Sequence, residues 1–192
     1  MPGLIVILGY FLGAIPTAYI AGHLREGGNI MEIGDGNMGA ANAFRQLGAK
    51  TGVVVGIIDA GKGALAILIA QTANLPQVAV MLTGAAVVVG HNWSAFIGFR
   101  GGRGLCTTMG VLLTLITQPM LILLGPTLVT LLIIRNATIA SCVLFIPLPL
   151  VCWLMGVPGG LIGYSVTLPC LVGITDFVKK RQLARTSDAG SA

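Results

Sequence analysis

The chain has 192 residues, of which 55% are hydrophobic and only 9% are charged. Soluble domains carry about 25% charged residues, so this composition excludes a soluble domain and indicates an integral membrane protein. The formal net charge of +5 is explained more simply by basic residues that face anionic lipid headgroups than by nucleic-acid binding.

Seven apolar runs predict membrane-spanning α-helices, and their length favours helices over a β-barrel. They cover residues 4–21, 51–73, 77–89, 105–117, 121–134, 137–155 and 161–177. The first run is interpreted as a retained helix rather than a signal peptide, because no basic segment precedes it and no small-residue cleavage site follows it. No linker separates the runs, which predicts a single transmembrane domain over residues 1–192 with a basic tail from about residue 178.

The apolar stretch 105–134 decides the number of spans. A helix rises about 1.5 Å per residue, so this stretch is too long for one upright span of a bilayer core about 30 Å thick. Dividing it puts the basic residues outside the spans on one side of the membrane: Arg25, Arg45, Lys50, Arg100, Arg103, Arg135, Lys179, Lys180, Arg181 and Arg185. The positive-inside rule then predicts seven spans, with the N-terminus outside and the C-terminus in the cytoplasm. We expect Gln118-Pro119 to form the tight outer turn between the fourth and fifth spans.

The first large cytoplasmic segment covers residues 23–50 and is too polar to span the membrane. Its many small residues predict a surface or re-entrant hairpin, with a short helix over residues 40–47. Asn37, Asn42 and Arg45 offer hydrogen-bond donors, and the Arg45 guanidinium suits a planar anion. A glycine-rich connecting loop is the alternative interpretation.

The second segment, residues 90–104, is a glycine- and arginine-rich turn between two apolar runs. Glycines let main-chain N–H groups approach an anion closely, and the guanidinium groups of Arg100 and Arg103 can fork onto phosphate oxygens. The segment therefore predicts a phosphate site at the bilayer surface, with a positive-inside loop carrying interfacial aromatic residues as the alternative. His91 is a candidate general base, although a lone histidine at a helix end more often serves as a cap or hydrogen-bond donor.

Two pairs of polar residues lie within the apolar runs. Asp59 and Lys62 are three residues apart and share a helix face, so we favour mutual pairing of these intramembrane charges over a catalytic role. Thr138 and Ser141 lie one turn apart, where their hydroxyls could meet a phosphate or bond the carbonyl of the preceding turn. The basic tail over residues 179–185 is predicted to anchor on the lipid surface.

No metal site, disulfide or covalent nucleophile is predicted. The four cysteines lie in apolar runs without metal-binding spacing,. The string Asp35-Gly36-Asn37 is similar to the start of a calcium loop, but too few carboxylates follow it. An enzyme built from these residues would therefore bring two reactants together and stabilise developing charge.

Four motifs resemble, in order and at matching spacing, those of the bacterial membrane acyl-phosphate:glycerol-3-phosphate acyltransferases. They read GAIPTAY (13–19), GNMGAAN (36–42), DAGKG (59–63) and GHNWSAFIGFRGGRG (90–104). The resemblance covers nearly the whole chain. It implies an all-α integral membrane protein of the bacterial inner membrane, with seven transmembrane helices, cytoplasmic re-entrant and glycine-rich loops, and an active site on the cytoplasmic face.

The resemblance also implies an activity. The family transfers a fatty acyl group from acyl phosphate to the sn-1 hydroxyl of glycerol 3-phosphate, which gives lysophosphatidate and phosphate and begins phospholipid synthesis. No cofactor is implied, and the soluble acyltransferase that makes acyl phosphate is the expected functional partner. The implied catalytic residues are Arg45, Arg103 and Ser141. The implied substrate- and phosphate-binding residues are Asp35, Gly36, Asn37, Asn42, His91, Asn92, Arg100, Gly101, Gly102, Gly104 and Thr138.

Three features depart from the family pattern. Asp35 stands where the family has a serine, and its carboxylate would repel a phosphate unless it is protonated or paired with Arg45 or Arg103. Arg100 and Arg103 replace lysines, so a planar fork replaces a point donor. The family's last motif, a histidine and an asparagine followed by Gly-Thr-Glu, is missing after the seventh run, and no residue there is assigned a role. A non-catalytic or altered-substrate paralogue is therefore the second hypothesis, and the charges of the second run keep a small transporter as the third.

Overall fold

The computed structural model describes residues 1–26 and 28–189, except for the side chains of Glu26, Lys180 and residues 182–189. The regular structure of these residues is helical. The α-helices are, in chain order, α1 (Pro2–Ala14), α2 (Thr17–Glu26), α3 (Ala40–Gln46), α4 (Ala49–Thr72), α5 (Gln77–Asn92), α6 (Leu105–Leu115), α7 (Thr117–Ile134), α8 (Ala137–Phe145), α9 (Leu148–Leu154) and α10 (Gly159–Ala189). Short 3-10 helices, Ile30–Glu32 and Ala95–Ile97, precede α3 and follow α5.

Five helical segments in the described part are long and apolar enough to cross a membrane. They are Pro2–Arg25, Ala49–Thr72, Thr117–Ile134, Ala137–Leu154 and Gly159–Lys179. Helices α5 and α6 are also apolar, but their 16 and 11 residues fall short of the about 20 that a bilayer core requires. The all-helical expectation is thus confirmed, whereas the count of seven spans stays a prediction.

Prolines interrupt two of the predicted spans. Helix α1 ends at Ala14 and α2 begins at Thr17, because Pro16 has no N–H to continue the helix and restricts the residue before it. The sixth predicted span is likewise divided, into α8 and α9, at Ile146 and Pro147. The first predicted span is therefore a broken helix, with main-chain groups at the break that need partners.

The predicted outer turn at Gln118-Pro119 is wrong. Only Ile116 separates α6 from α7, and both Gln118 and the buried Pro119 lie in the first turn of α7. Proline is tolerated there because the first N–H groups of a helix have no partner within it. Pro119 therefore belongs to the start of a helix and not to a turn between helices.

The apolar core has two parts. The larger lies between α4, α5, α6 and the later helices α7 to α10. The smaller holds residues 28–48 against α2 and α4, and its buried members are Ala18, Ile30, Met38, Ala43, Leu47 and Val55. The short helix expected over residues 40–47 is present as α3, and a methyl group on Gly52 of α4 would collide with its Phe44 backbone. This packing favours a structured segment over a plain connecting loop; its re-entry into the bilayer stays a prediction.

Glycines permit close contacts of α1 with α5 and of α4 with α6. A methyl group on Gly13 would collide with the carbonyl of Val87, and one on Gly110 would collide with the carbonyl of Ala60. Small residues let membrane helices approach closely enough for van der Waals packing to hold them together. Helices α5 and α6 are therefore each held against a neighbouring helix. The segment between them, residues 93–104, starts and ends at fixed points.

Lys62 stabilises the break between α1 and α2. Its Nζ donates to the carbonyl of Ile15 at 2.8 Å and to that of Gly13 at 3.4 Å. The same Nζ lies 2.8 Å from Asp59 Oδ1, which also accepts a hydrogen bond from Thr17 Oγ1 at 2.9 Å. The side chains of Lys62 and Asp59 are 5% and 2% exposed. The predicted pairing of these two residues is confirmed, and Lys62 also donates to two carbonyls at the break between α1 and α2,.

Replacing Lys62 with methionine is expected to lower the free energy of unfolding by about 3–5 kcal/mol, because a buried carboxylate is left without its partner. The thermal unfolding midpoint in detergent measures this loss. Lys50→Met is the matched control, since Lys50 is an exposed lysine in the first turn of the same helix. Equal midpoints for Lys62→Met and the unaltered protein would contradict a stabilising role for the pair.

Candidate active site

Asn42 shapes the loop that carries Asp35. Its buried side-chain amide donates to the carbonyls of Ile33 at 3.1 Å and Ile30 at 3.4 Å, and its Oδ1 accepts the N–H of Asp35 at 3.4 Å. Glycines on both sides of Asp35, Gly34 and Gly36, have positive φ angles of 65° and 64°, a conformation that glycine adopts without steric cost. Asn42 thus bonds the loop backbone, a role that its assignment as a substrate-binding residue did not include.

Asp35 joins two arginines from distant parts of the chain. Its Oδ2 lies 2.8 Å from Arg45 Nη2 and 3.2 Å from Arg103 Nη2, although Arg103 is 68 residues away in sequence. Its Oδ1 accepts the N–H of Asn37 at 3.3 Å. The expected pairing of Asp35 with Arg45 or Arg103 therefore occurs with both residues. We call Asp35, Arg45 and Arg103 the arginine cluster.

The glycine loop, residues 98–104, lies against the end of α5. The N–H of Gly102 donates to the carbonyl of His91 at 3.0 Å. A side chain on Gly101 would collide with that same carbonyl, and one on Gly102 would collide with the His91 ring. Gly104, with φ of 82°, is the N-cap of α6. The close approach and the left-handed turn both require glycine here, and they bring the loop directly to a helix N-terminus.

Beside the arginine cluster, the first amides of α6 have no backbone hydrogen-bond acceptor among the described residues. Its first helical hydrogen bond runs from the N–H of Thr108 to the carbonyl of Gly104 at 2.8 Å. The N–H groups of Leu105, Cys106 and Thr107 precede that bond, as the first amides of any helix do. Because these amides and the helix dipole favour anions, the geometry suits a phosphate or a developing oxyanion.

His91 connects the glycine loop to the buried ion pair. It is 7% exposed, and its Nδ1 lies 3.7 Å from Asp59 Oδ1. The opposite side of its ring packs against Gly102. This enclosed position favours a structural role over general-base catalysis for His91.

Several buried polar atoms near the loops have no hydrogen-bond partner among the described residues. They are Asn37 Oδ1, Asn92 Oδ1, Thr107 Oγ1 and Thr108 Oγ1. Buried polar atoms are nearly always bonded to protein, water or ligand. Asn37 and Asn92 were predicted from sequence to bind substrate, and the carbonyl oxygen of either side chain can accept a hydrogen bond from a hydroxyl group.

Residues of α10 that the sequence analysis left without a role contact this site. Arg103 Nε lies 2.8 Å from Asp176 Oδ1, and Asn92 Nδ2 donates to Thr175 Oγ1 at 3.2 Å. Lys179 Nζ donates to three carbonyls at the glycine loop and the end of α5. The prediction that the tail from residue 179 is a lipid anchor is therefore wrong for Lys179, because its ammonium group points into the protein.

The spacing of those residues held the missing signal. Thr175, Asp176 and Lys179 are polar residues at positions i, i+1 and i+4 near the end of an apolar helix, which puts them on one side of it. Arg181 of the predicted anchor is exposed, and the side chains of Lys180 and Arg185 lie outside the described part.

Three other predicted site residues, Arg100, Thr138 and Ser141, have no hydrogen bond or ion pair to the arginine cluster among the described residues. Arg100 is exposed, and its carbonyl accepts the N–H of Ser94 at 3.2 Å. Ser141 Oγ donates to the carbonyl of Thr138 at 2.7 Å, which is the backbone-bonded alternative. In the described part of the chain, neither Thr138 nor Ser141 has a hydrogen bond to the cluster, so their assignment to the site stays a prediction. Within residues 1–26 and 28–189, no group of three or more His, Cys, Asp or Glu side chains could hold a metal ion.

The fold and the site together define a helical membrane protein in which two guanidinium groups, a glycine loop and a helix N-terminus lie together. The family model of glycerol-3-phosphate acyltransferase matches residues 3–185. The chain therefore belongs to the glycerol-3-phosphate acyltransferase family and is a membrane acyltransferase. The resemblance seen in the motifs is confirmed.

Relatives and solved structures agree with this assignment. The chain is 48% identical over 182 residues to glycerol-3-phosphate acyltransferase 4 of Dehalococcoides mccartyi, covering 95% of this chain and 98% of the relative. It is 37% identical over 163 residues to glycerol-3-phosphate acyltransferase of Parasynechococcus marenigrum, covering 85% and 76%. The crystal structure of PlsY (YgiH), an integral membrane glycerol 3-phosphate acyltransferase in its glycerol 3-phosphate form, is 29% identical, with a TM-score of 0.84 over 96% of this chain and 92% of that one. Its lysophosphatidic acid form gives a TM-score of 0.81.

Proposed function

We propose that this chain transfers a fatty acyl group from acyl phosphate to the sn-1 hydroxyl of glycerol 3-phosphate, giving lysophosphatidate and inorganic phosphate. The observation that carries the proposal is the convergence of Arg45 and Arg103 beside the glycine loop. Two guanidinium groups can bind phosphate oxygens by charge-assisted forks. The glycerol 3-phosphate and lysophosphatidic acid forms of the structural neighbour support the acceptor and the product.

The reaction needs positioning more than it needs a nucleophile from the protein. The sn-1 oxygen forms a bond to the acyl carbon, and the bond from that carbon to the donor's phosphate oxygen breaks. The proton of the hydroxyl passes to a phosphate oxygen of the substrate, and inorganic phosphate leaves. Since acyl phosphate is already activated, the arginine cluster and the amides of α6 have only to orient two phosphates and stabilise the oxyanion.

The proposed arrangement in the membrane follows the charges. Arg45 and Arg103 meet in one cluster, which is consistent with both large polar segments lying on the cytoplasmic side. We extend this to seven spans in the bacterial inner membrane, with short α5 and α6 as the third and fourth, the N-terminus outside and re-entrant polar segments. A soluble acyltransferase that produces acyl phosphate is the proposed functional partner.

The decisive experiment measures phosphate release from palmitoyl phosphate by the purified protein in lipid, with and without glycerol 3-phosphate. We expect release that depends on the acceptor and matches lysophosphatidate formation, with no product when palmitoyl-coenzyme A is the donor. Substrate binding without turnover would instead favour a non-catalytic or altered-substrate paralogue. The replacement of the family's serine by Asp35 is the observation that supports this second hypothesis. The absence of both substrate binding and turnover would contradict the acyltransferase proposal.

A further inference from the structure

We infer that Lys179 is a positioning residue of this site: it holds the glycine loop in the conformation that presents main-chain amides to a substrate phosphate. The inference rests on the proposed function for the identity of that substrate. It assigns a role to the inner face of α10, where the sequence had suggested the loss of a motif and, from Lys179 onward, a lipid anchor.

The hydrogen bonds of Lys179 account for all the donors of its ammonium group. Its Nζ lies 3.1 Å from the carbonyl of Asn92, 2.7 Å from that of Gly101 and 2.5 Å from that of Gly102. A lysine ammonium has three N–H donors, so each donor has one carbonyl. Lys179 therefore has no donor left for a substrate in this arrangement, which distinguishes positioning from direct binding.

Holding the Gly102 carbonyl orients the amide that follows it, whereas the amides after the Asn92 and Gly101 carbonyls donate to Val89 and His91. In a trans peptide the C=O and N–H groups point in opposite directions. With the Gly102 carbonyl on Lys179, the N–H of Arg103 is directed away from α10, and in the described part of the chain it makes no backbone hydrogen bond. The N–H of Gly104 follows and likewise makes no backbone hydrogen bond among the described residues, so the donors continue from Arg103 to the first amides of α6.

The loop needs such a tether because of its composition. Gly101, Gly102 and Gly104 offer no side chains to pack, and glycine loses more conformational entropy on ordering than any other residue. Charge-assisted hydrogen bonds, roughly twice as strong as neutral ones, offset that loss. Thr175 and Asp176 extend the same contact to Asn92, which precedes the loop, and to Arg103 within it.

The test combines amide hydrogen exchange with steady-state kinetics on the full chain in lipid nanodiscs. For Lys179→Met we expect exchange of residues 98–104 to become about tenfold faster without substrate, and the KM for glycerol 3-phosphate to rise about tenfold. Lys179→Arg, which keeps charge and donors, should recover most of both properties. Arg181→Met removes an exposed cation from the same helix and should match the unaltered protein.

Each contrary outcome has a distinct meaning. Reduced activity of Lys179→Met with unchanged loop exchange would overturn positioning in favour of direct substrate contact, and no change in either measurement would overturn any role. If Lys179→Met does not fold, Lys179→Gln, which loses the charge and one of the three donors, takes its place, and unchanged exchange in that variant would overturn the inference. Absence of turnover in the unaltered protein would count against the proposed function alone, since loop exchange still tests the tether.

Discussion

Replacing Arg103 with alanine is expected to lower kcat/KM for glycerol 3-phosphate by about 100-fold or more. Each hydrogen bond to a charged group contributes about 1.5–3 kcal/mol, and a guanidinium fork on phosphate makes two, so a loss of about 3 kcal/mol corresponds to a factor above 100. Asp35 and Asp176 hold the two ends of this guanidinium, which makes Arg103 the more rigidly positioned arginine of the cluster. The measurement is lysophosphatidate formation across acceptor concentrations.

Two variants make the Arg103 experiment specific. Arg103→Lys keeps the charge but loses the planar fork, and its activity should lie between those of the alanine variant and the unaltered protein. Arg181→Ala shortens an exposed arginine and should leave kcat/KM unchanged. The Arg103 side chain is 20% exposed, less than a solvent-facing turn would give, so the unfolding midpoint must be measured alongside. Near-normal turnover of a folded Arg103→Ala protein would contradict the assignment of Arg103 to the substrate-binding site.

Replacing Asp35 with serine is expected to lower the KM for glycerol 3-phosphate several-fold while kcat is preserved or raised. Oδ2 of the Asp35 carboxylate contacts Nη2 of both Arg45 and Arg103. The carboxylate therefore competes with a phosphate for the same N–H donors. At about 5 Å and an effective dielectric constant near 20, repulsion between two unit negative charges is about 3 kcal/mol. Losing the contact that orders the half-exposed Arg45 costs about 1 kcal/mol or less, so relief of repulsion dominates.

Asp35→Asn separates charge from shape in this experiment. It keeps an oxygen for the N–H of Asn37 but removes the charge, so it should reproduce most of the decrease in KM. A 100-fold loss of kcat in both variants would show the opposite balance, in which the carboxylate must orient Arg45 and Arg103 for turnover. Acceptor titrations at constant ionic strength measure the effect, because salt screens exposed charges.

Properties carried by neighbouring residues were predictable from the sequence. The i,i+3 spacing of Asp59 and Lys62 indicated a shared helix face and a buried pair, and both are present. The glycines of residues 98–104 predicted a close approach of main-chain amides to an anion, which stays a prediction; the close approach that the structure shows is to His91. Proline was harder to interpret: its missing N–H is compatible with a break, as at Pro16, or with a helix start, as at Pro119, and only the neighbouring helices select between them.

The arrangement of the site depends on contacts across the chain. Thr175 meets Asn92 across 83 residues, and Lys179 meets the same residue's carbonyl across 87. A lysine that anchors on lipid and one that turns inward both occur at the end of an apolar helix, so the polar face shared with Thr175 and Asp176 was the one local signal that we identify for Lys179. The missing family motif also directed attention away from α10, although Asp176 there contacts Arg103.

The sequence by itself determined that this is a helical membrane protein of a recognisable acyltransferase family, because apolar run length, glycine content and motif order are properties of contiguous residues. The tertiary structure alone decided that Asp35 bonds both arginines, that Ser141 bonds its own helix, and that α10 holds the glycine loop. Those outcomes depend on which helix faces meet. In this protein the facing is set by close glycine contacts and by a buried ion pair at a broken helix, both of which act between segments far apart in the chain.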